Sequence, residues 1–144
     1  MRVIVDTCVW SLALRRSGAV ESAEAAELAT LVRDSRVEML GPIRQEILSG
    51  VRSQQQFGSL RKHLGAFPDF PIETDDYVLA ATFYNLCRSN GVQGSNTDFL
   101  ICAVGVRHRL AVFTTDGDFE LFSAHLPIVL HQAEGFGQED RQGR

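Results

Sequence analysis

The chain has 144 residues, 44% of them hydrophobic, and a formal net charge of −4, as expected of one globular domain with its own core. The acidic balance differs from the basic surface usual in a nucleic-acid binder, but carboxylates that bind divalent cations would themselves lower the formal charge, and bound metal would reverse the local sign. Cys8, Cys87 and Cys102 are far apart in the sequence and form no CxxC pair, which argues against a disulfide framework and a zinc site. Each has apolar neighbours, and we expect all three to be small buried hydrophobic residues. Apolar runs are much shorter than the ~20 residues of a membrane span, and the start of the chain does not resemble a signal peptide, so we expect a cytoplasmic protein.

Short apolar segments alternate with longer segments of helical periodicity. The predicted elements, in chain order, are a strand at 2–6, helices at 8–16 and 22–34, a strand at 37–40, helices opening at 41 and covering 59–66, 76–89 and 97–108, a strand at 111–114, a helix at 119–124 and a last strand at 127–130. Strands that are apolar throughout are typical of a parallel sheet covered on both faces. We therefore predict a three-layer α/β domain over 1–131, with 132–144 as a flexible C-terminal tail.

Acidic residues stand at the positions where such a sheet presents its functional groups. Asp6 and Asp116 each follow a predicted strand, Asp98 begins the apolar helix at 97–108, and Glu46 lies in the helix after the second strand. Ligands of open α/β sheets bind beyond the carboxyl ends of the strands. All four acids could therefore face one crevice.

Each acid also has an ordinary structural interpretation. Asp6 could cap the following helix, for which Thr7 is a second candidate, and Asp98 could be a helix N-terminal acid favoured by the helix dipole. Asp116 and Asp118 resemble turn residues. Only the combination favours a site, because neighbouring carboxylates repel one another unless a cation relieves them. Mg²⁺ and Mn²⁺ prefer such oxygen ligands and can activate water for attack on phosphorus.

Four segments together resemble the PIN-domain family, and within it the VapC toxins of bacterial toxin–antitoxin pairs. The matching segments are Val3-Ile4-Val5-Asp6-Thr7 with Trp10 downstream, Pro42-Ile43-Arg44-Gln45-Glu46-Ile47, Thr97-Asp98-Phe99-Leu100-Ile101-Cys102-Ala103, and Val112-Phe113-Thr114-Thr115-Asp116-Gly117-Asp118-Phe119. They follow the order and spacing of the family from one end of the chain to the other. Cys102, where the family often has alanine, is a departure that conserves size.

The resemblance implies a three-layer α/β/α fold and Mg²⁺- or Mn²⁺-dependent cleavage of RNA by an endonuclease. It also implies a homodimer and an antitoxin that binds across the active-site groove. By the same resemblance, Asp6 and Asp98 bind the metal directly, Asp116 binds it directly or through water, and Glu46 orients a water or a second ion. Asp118 is a weaker candidate that could instead cap the last helix. Thr7 and Thr114 would hydrogen-bond the acids.

Three other functions are alternatives to the nuclease. A phosphatase of the haloacid-dehalogenase type needs a second Asp two residues after the first, and that position is Cys8. Dinucleotide binding is unsupported, because no GxGxxG follows a strand. A PIN-like domain that binds RNA or a partner without catalysis is the remaining alternative, although no acid of the motif is lost. The four histidines show no ligand spacing, and we expect them to be surface or partly hydrogen-bonded residues: His63, His108, His125 and His131.

Overall fold

The computed structural model describes residues 1–14 and 22–133 of the chain. Three short strands and seven helices are present in this part of the chain. In order they are β1 (Val3–Val5), α1 (Thr7–Leu14), α2 (Ala23–Arg33), β2 (Val37–Glu38), α3 (Gly41–Leu48), α4 (Gln54–Leu64), α5 (Thr74–Ser89), α6 (Asn96–His108), β3 (Ala111–Phe113) and α7 (Asp118–Ser123).

The three strands form one parallel sheet in the order β2-β1-β3. Val3 pairs with Val37 of β2 on one side, and Ile4 pairs with Val112 of β3 on the other. The three residues of the central strand have no solvent-accessible surface, and because their side chains alternate between the faces, both faces of the sheet are covered. The predicted α/β class with a short central parallel sheet is confirmed.

The helices form two packed groups around this sheet. Helix α1 packs against α2 and α3, and α3 packs against α4, whereas α5 lies along α6 and α6 packs against β3. The apolar α6 is buried continuously from Phe99 to Gly105, as its lack of a polar face predicted. None of the described helices is long and apolar enough to cross a membrane.

Two of the predicted elements differ from the structure. The predicted strand at 127–130 is wrong, because Leu130 makes only an isolated parallel bridge to Val112 and the pairing does not extend into a strand. Helix α4 begins at Gln54, five residues before the predicted start at 59. Its first turns are exposed and show no apolar period, but the Ser53 side chain accepts from the backbone N–H of Gln56 and caps them. Residues 15–16 of the first predicted helix and 134–144 of the predicted tail lie outside the described residues.

Candidate active site

Asp6 lies where β1 ends and α1 begins. Its backbone N–H donates to Phe113 O of β3, while its own carbonyl accepts from the first turn of α1 at Val9 and Trp10. Its carboxylate Oδ1 accepts from Thr7 N at 2.8 Å, and the residue is 8% exposed. Asp6 therefore holds the position before the helix, so Thr7 is not the cap. The carboxylate is fixed at the carboxyl edge of the sheet.

Thr114 joins Asp6 to Asp116 across this edge. Its Oγ1 donates to Asp6 Oδ2 at 2.8 Å and accepts from Asp116 N at 3.0 Å. Asp116 Oδ1 then accepts from Asp118 N at 2.9 Å, which closes a tight turn ahead of α7. The hydroxyl of Thr114 thus fixes the two predicted ligands relative to each other. Asp118 is exposed, and Phe119 beside it is buried as predicted.

Glu46 reaches the same edge from α3. Thr7 Oγ1 donates to Glu46 Oε2 at 2.8 Å, and Glu46 itself is exposed. Pro42 stands in the first turn of this helix, as predicted. Both of the predicted threonine hydrogen bonds to acids are present. Together with the hydrogen bonds donated by the Thr7 and Asp116 backbone N–H groups, they link Glu46 through Asp6 to Asp116.

Asp98 approaches from the start of α6, in a reciprocal capping box with Ser95. Ser95 Oγ accepts from Asp98 N at 3.1 Å, and Asp98 Oδ2 accepts from Ser95 N at 3.2 Å. The preceding Gly94 lies so close to Phe122 that an added Cβ would be 2.5 Å from the ring. Burial raises the pKa of Asp98, and the charges of Asp6 and Asp116 raise it further despite the lowering hydrogen bonds from Ser95. The structure therefore brings these three acids into electrostatic contact.

The chemistry of this donor set fits a hard divalent cation. Oδ1 of Asp98 and Oδ2 of Asp116 accept no hydrogen bond from the described residues, and the like charges disfavour ionisation of Asp98. No three of these acids have ligand atoms that all lie within 4.8 Å of one another. Mg²⁺ typically keeps several waters and binds one or two carboxylates. The geometry thus suits an ion that some of the acids contact through water.

Cys8 contributes to this site, although the sequence indicated only a small buried hydrophobic residue. Its Sγ lies 3.6 Å from Asp6 Oδ2 and 3.4 Å from Thr114 Oγ1, and it accepts from Thr115 N at 3.3 Å. The prediction is confirmed for the buried Cys87 and Cys102, where burial raises the pKa of both thiols. It is wrong for the half-buried Cys8, whose position two residues after Asp6 was the available signal.

A second group of polar residues joins the start of α5 to the end of α6. Glu73, Asp76 and His108 are the one trio of His, Cys, Asp or Glu in the described part of the chain whose ligand atoms all lie within 4.8 Å. Asp76 has no exposed surface, and its Oδ1 accepts from Arg107 Nη1 at 2.8 Å and lies 3.0 Å from His108 Nε2. Sequence reasoning did not identify this group, because only the tertiary fold brings its two helix ends together.

This second group has the geometry of a metal site, but its charge is already balanced. Burial alone would raise the pKa of Asp76. Hydrogen bonds from the Glu73 N–H, Arg107 and His108 outweigh burial and lower that pKa, while Asp76 raises the pKa of Arg107. The Arg107 guanidinium already neutralises the Asp76 carboxylate and would repel a metal ion. We therefore interpret the group as a link between two helices.

Comparisons with known proteins place the chain in a family. Residues 3–124 match the family model of the PIN domain. A VapC ribonuclease of Mycobacterium bovis is 28% identical over 123 residues, which cover 84% of this chain and 91% of the relative. The solved FitAcB complex of Neisseria gonorrhoeae is 18% identical, with a TM-score of 0.71 over 91% of this chain and 97% of that one. VapBC2 of Rickettsia felis, solved with a DNA fragment from its promoter, is 13% identical, with a TM-score of 0.73 over 91% and 98%. The chain therefore belongs to the PIN-domain family, as its four sequence motifs predicted.

Proposed function

We propose that this protein is a Mg²⁺- or Mn²⁺-dependent endoribonuclease that acts as the toxin of a toxin–antitoxin pair. The observation that carries the proposal is the hydrogen-bonded row of acids at the carboxyl edge of the sheet, with Asp98 facing it from α6. No described arginine or lysine forms a salt bridge with any of these acids. A cluster that carries this much unbalanced negative charge is expected where a cation and a phosphate meet.

The four acids have distinct roles in this proposal. Asp6 and Asp98 would bind the ion directly, Asp116 would bind it directly or through water, and Glu46 would orient a water or a second ion. When bound, the ion lowers the pKa of a water and offsets charge that develops on the phosphate. Thr114 holds the Asp6 carboxylate in place and orders the loop before Asp116, and Thr7 does the same for Glu46. Asp118 turns its N–H towards Asp116 and supports that loop.

The proposed partners are an RNA substrate, an antitoxin and a second copy of this chain, all in the cytoplasm. The antitoxin is supported by the similarity in fold to VapBC-5 of Mycobacterium tuberculosis, a solved member of the VapBC family of toxin–antitoxin systems. Expression of the protein alone should slow growth, and co-expression of its antitoxin should restore it. Harmless expression of an active nuclease would remove the toxin role and leave the enzymatic one.

The enzymatic proposal is tested by RNA cleavage with purified protein. With Mn²⁺ or Mg²⁺ the protein should cut structured RNA, and EDTA should stop the reaction. Asp6→Asn and Asp98→Asn should each lower the rate by roughly a hundredfold or more, because several kcal/mol of metal assistance are lost. Asp34→Asn, on the exposed end of α2, is the matched control.

The alternative, a PIN-like module that binds RNA without cutting it, predicts a different outcome of the same assay. RNA would bind with micromolar or better affinity and stay intact at every metal concentration. Cleavage that survives in Asp6→Asn and Asp98→Asn would show instead that the acids are assigned wrongly or that a contaminating nuclease acts.

A further inference from the structure

A cavity opens beside the candidate active site, in the fork between the end of β3 and the segment that follows Pro127. The two segments are paired where Val112 N donates to Val129 O and His131 N donates to Val112 O, both at 2.8 Å. Beyond this point no backbone hydrogen bond joins Thr114 to Gln132 in the described chain. The segments diverge there and enclose about 360 Å³, which is within the range of ligand pockets, about 300–1,000 Å³.

The cavity shares a wall with the acidic row. Thr114, Thr115 and Asp116 belong both to the loop that carries the site and to the lining of the cavity. A nucleotide whose phosphate lies at Asp6 and Asp116 would therefore have its base or sugar next to this opening. The cavity is thus in the position of a substrate subsite.

The charges of the cavity decide which part of a nucleotide it can take. Glu24 and Glu120 line it together with Asp116, and none of the described lining residues is lysine or arginine. Away from the proposed ion at Asp116, a phosphate would be repelled by the carboxylates of Glu24 and Glu120. Ionised carboxylates accept hydrogen bonds and donate none. The cavity therefore favours an uncharged group with N–H donors.

The remaining walls suit a flat, partly apolar group. Leu130 and Phe113 contribute apolar surface. The His131 ring is fixed, because its Nε2 lies 2.8 Å from Glu27 Oε1 and the Phe113 ring packs against it with centroids 5.3 Å apart. Bases of single-stranded RNA are commonly recognised by such rings together with hydrogen bonds to their edges. A nucleobase matches the chemistry of these walls.

We propose that this cavity selects a guanine next to the scissile phosphate, with Glu24 as the residue that accepts from the guanine edge. Guanine presents N1–H and the 2-amino group side by side, so that one carboxylate can accept from both. Adenine places an acceptor nitrogen at the corresponding ring position and would be repelled. The half-buried Glu24 is better placed to discriminate than the exposed Glu120, because less water competes for it. This proposal rests on the proposed ribonuclease function.

The test is the base preference of cleavage on a randomised single-stranded RNA in Mn²⁺, read by sequencing the product ends. The wild type should prefer guanine over adenine at one position adjacent to the cut, by about 10–100-fold for a bidentate contact. Inosine at that position, which lacks the 2-amino group, should lose much of this preference. Glu24→Gln should reduce the guanine-to-adenine ratio about tenfold, whereas Asp34→Asn at the C-terminal end of the same helix should keep it.

The outcomes separate the two proposals. Cleavage without a base preference, or a guanine preference unchanged in Glu24→Gln, overturns the cavity proposal and leaves the nuclease intact. No cleavage by the wild type overturns the nuclease. In that case, fluorescence anisotropy of labelled RNAs that differ by one guanine-to-adenine change still tests the cavity. Equal affinities of the wild type for the two RNAs would overturn base selection as well.

Discussion

Asp76 and Asp98 occupy the same position in two helices and differ in almost everything that follows. Each is the third residue of its helix, and each accepts from the backbone N–H of its N-cap in a capping box, with Glu73 and Ser95 as the respective partners. Asp76 has no exposed surface and a lowered pKa. Asp98 is half-buried and has a raised pKa.

The neighbours from other elements account for the difference. Asp76 contacts Arg107 and His108 at the C-terminal end of α6, where the helix dipole also favours positive charge. Asp98 meets Asp6 and Asp116, and their charges add to the cost of burial. A carboxylate with its own cation stabilises the fold, whereas a carboxylate that faces other carboxylates is stable in its charged form only when something from outside neutralises it. The comparison thus separates a structural acid from a functional one.

Exchanging each aspartate for asparagine should give opposite effects, and this is the largest expected difference. Asp76→Asn should lower the free energy of unfolding by about 2–3 kcal/mol, because Arg107 loses a charged partner in a buried contact. Asp98→Asn in EDTA should be at least as stable as the wild type, because it removes a disfavoured charge and its amide oxygen can still accept from Ser95. Chemical denaturation in EDTA measures both.

The rate of RNA cleavage should distinguish the same two variants in the opposite direction from their stability. Asp76→Asn should cut RNA at the wild-type rate per folded molecule, while Asp98→Asn should cut it roughly a hundredfold or more slowly. A destabilised Asp98→Asn together with a fully stable Asp76→Asn would contradict the assignment of the two acids.

Acid pH should sharpen the contrast through the opposite directions of the two pKa shifts. The lowered pKa of Asp76 means that its charged form stabilises the fold, and this contribution is lost as the pH falls through the ordinary value of 3.8 and below. The raised pKa of Asp98 means that its protonated form is favoured in the fold, so its contribution is present in acid and lost as the pH rises past 3.8.

The stability curves of the two variants should therefore diverge on acidification in EDTA. Relative to the wild type, Asp76→Asn should lose less stability as the pH falls, since the acid that must be protonated is gone. Asp98→Asn should lose more, since the wild type gains from protonating Asp98. Thermal unfolding between about pH 3 and pH 7 measures both curves, and parallel curves for all three proteins would refute the explanation.

A smaller effect on activity is expected when a residue that positions the acids is replaced, rather than an acid itself. Thr114→Val removes the hydroxyl that donates to Asp6 and accepts from Asp116 N. Residues that orient metal ligands typically contribute 10–100-fold to metal affinity or activity, and we expect about tenfold weaker Mn²⁺ activation. Thr114→Ser should restore it, and Thr82→Val on the exposed face of α5 is the control. Loss of stability without a change in the Mn²⁺ concentration at half-maximal rate would indicate a purely structural role.

Most helices and the three strands of the sheet follow largely from local patterns. The apolar strand before Asp6 and the apolar helix after Asp98 carried enough periodicity and length to be predicted, and both are present. Helix α4 was predicted late, because a serine cap rather than an apolar stripe starts it. The strand predicted at 127–130 does not form, and only an isolated bridge is present there. A sequence window could not show this, because strand formation depends on a pairing partner that lies outside the window.

The sequence by itself determined the fold class, the family motifs and the four acids offered for the site, because strand ends and helix starts are local signals. Only the tertiary structure decided which acids face one another. The capping box at Asp76 and the one at Asp98 read alike in the sequence, and their functions differ because Arg107 is 31 residues from Asp76 along the chain yet in contact with it. The electrostatic environment of a carboxylate is set by such distant neighbours. For the same reason, the position of Cys8 in the site and the cavity at Glu24 emerged only when the chain was folded.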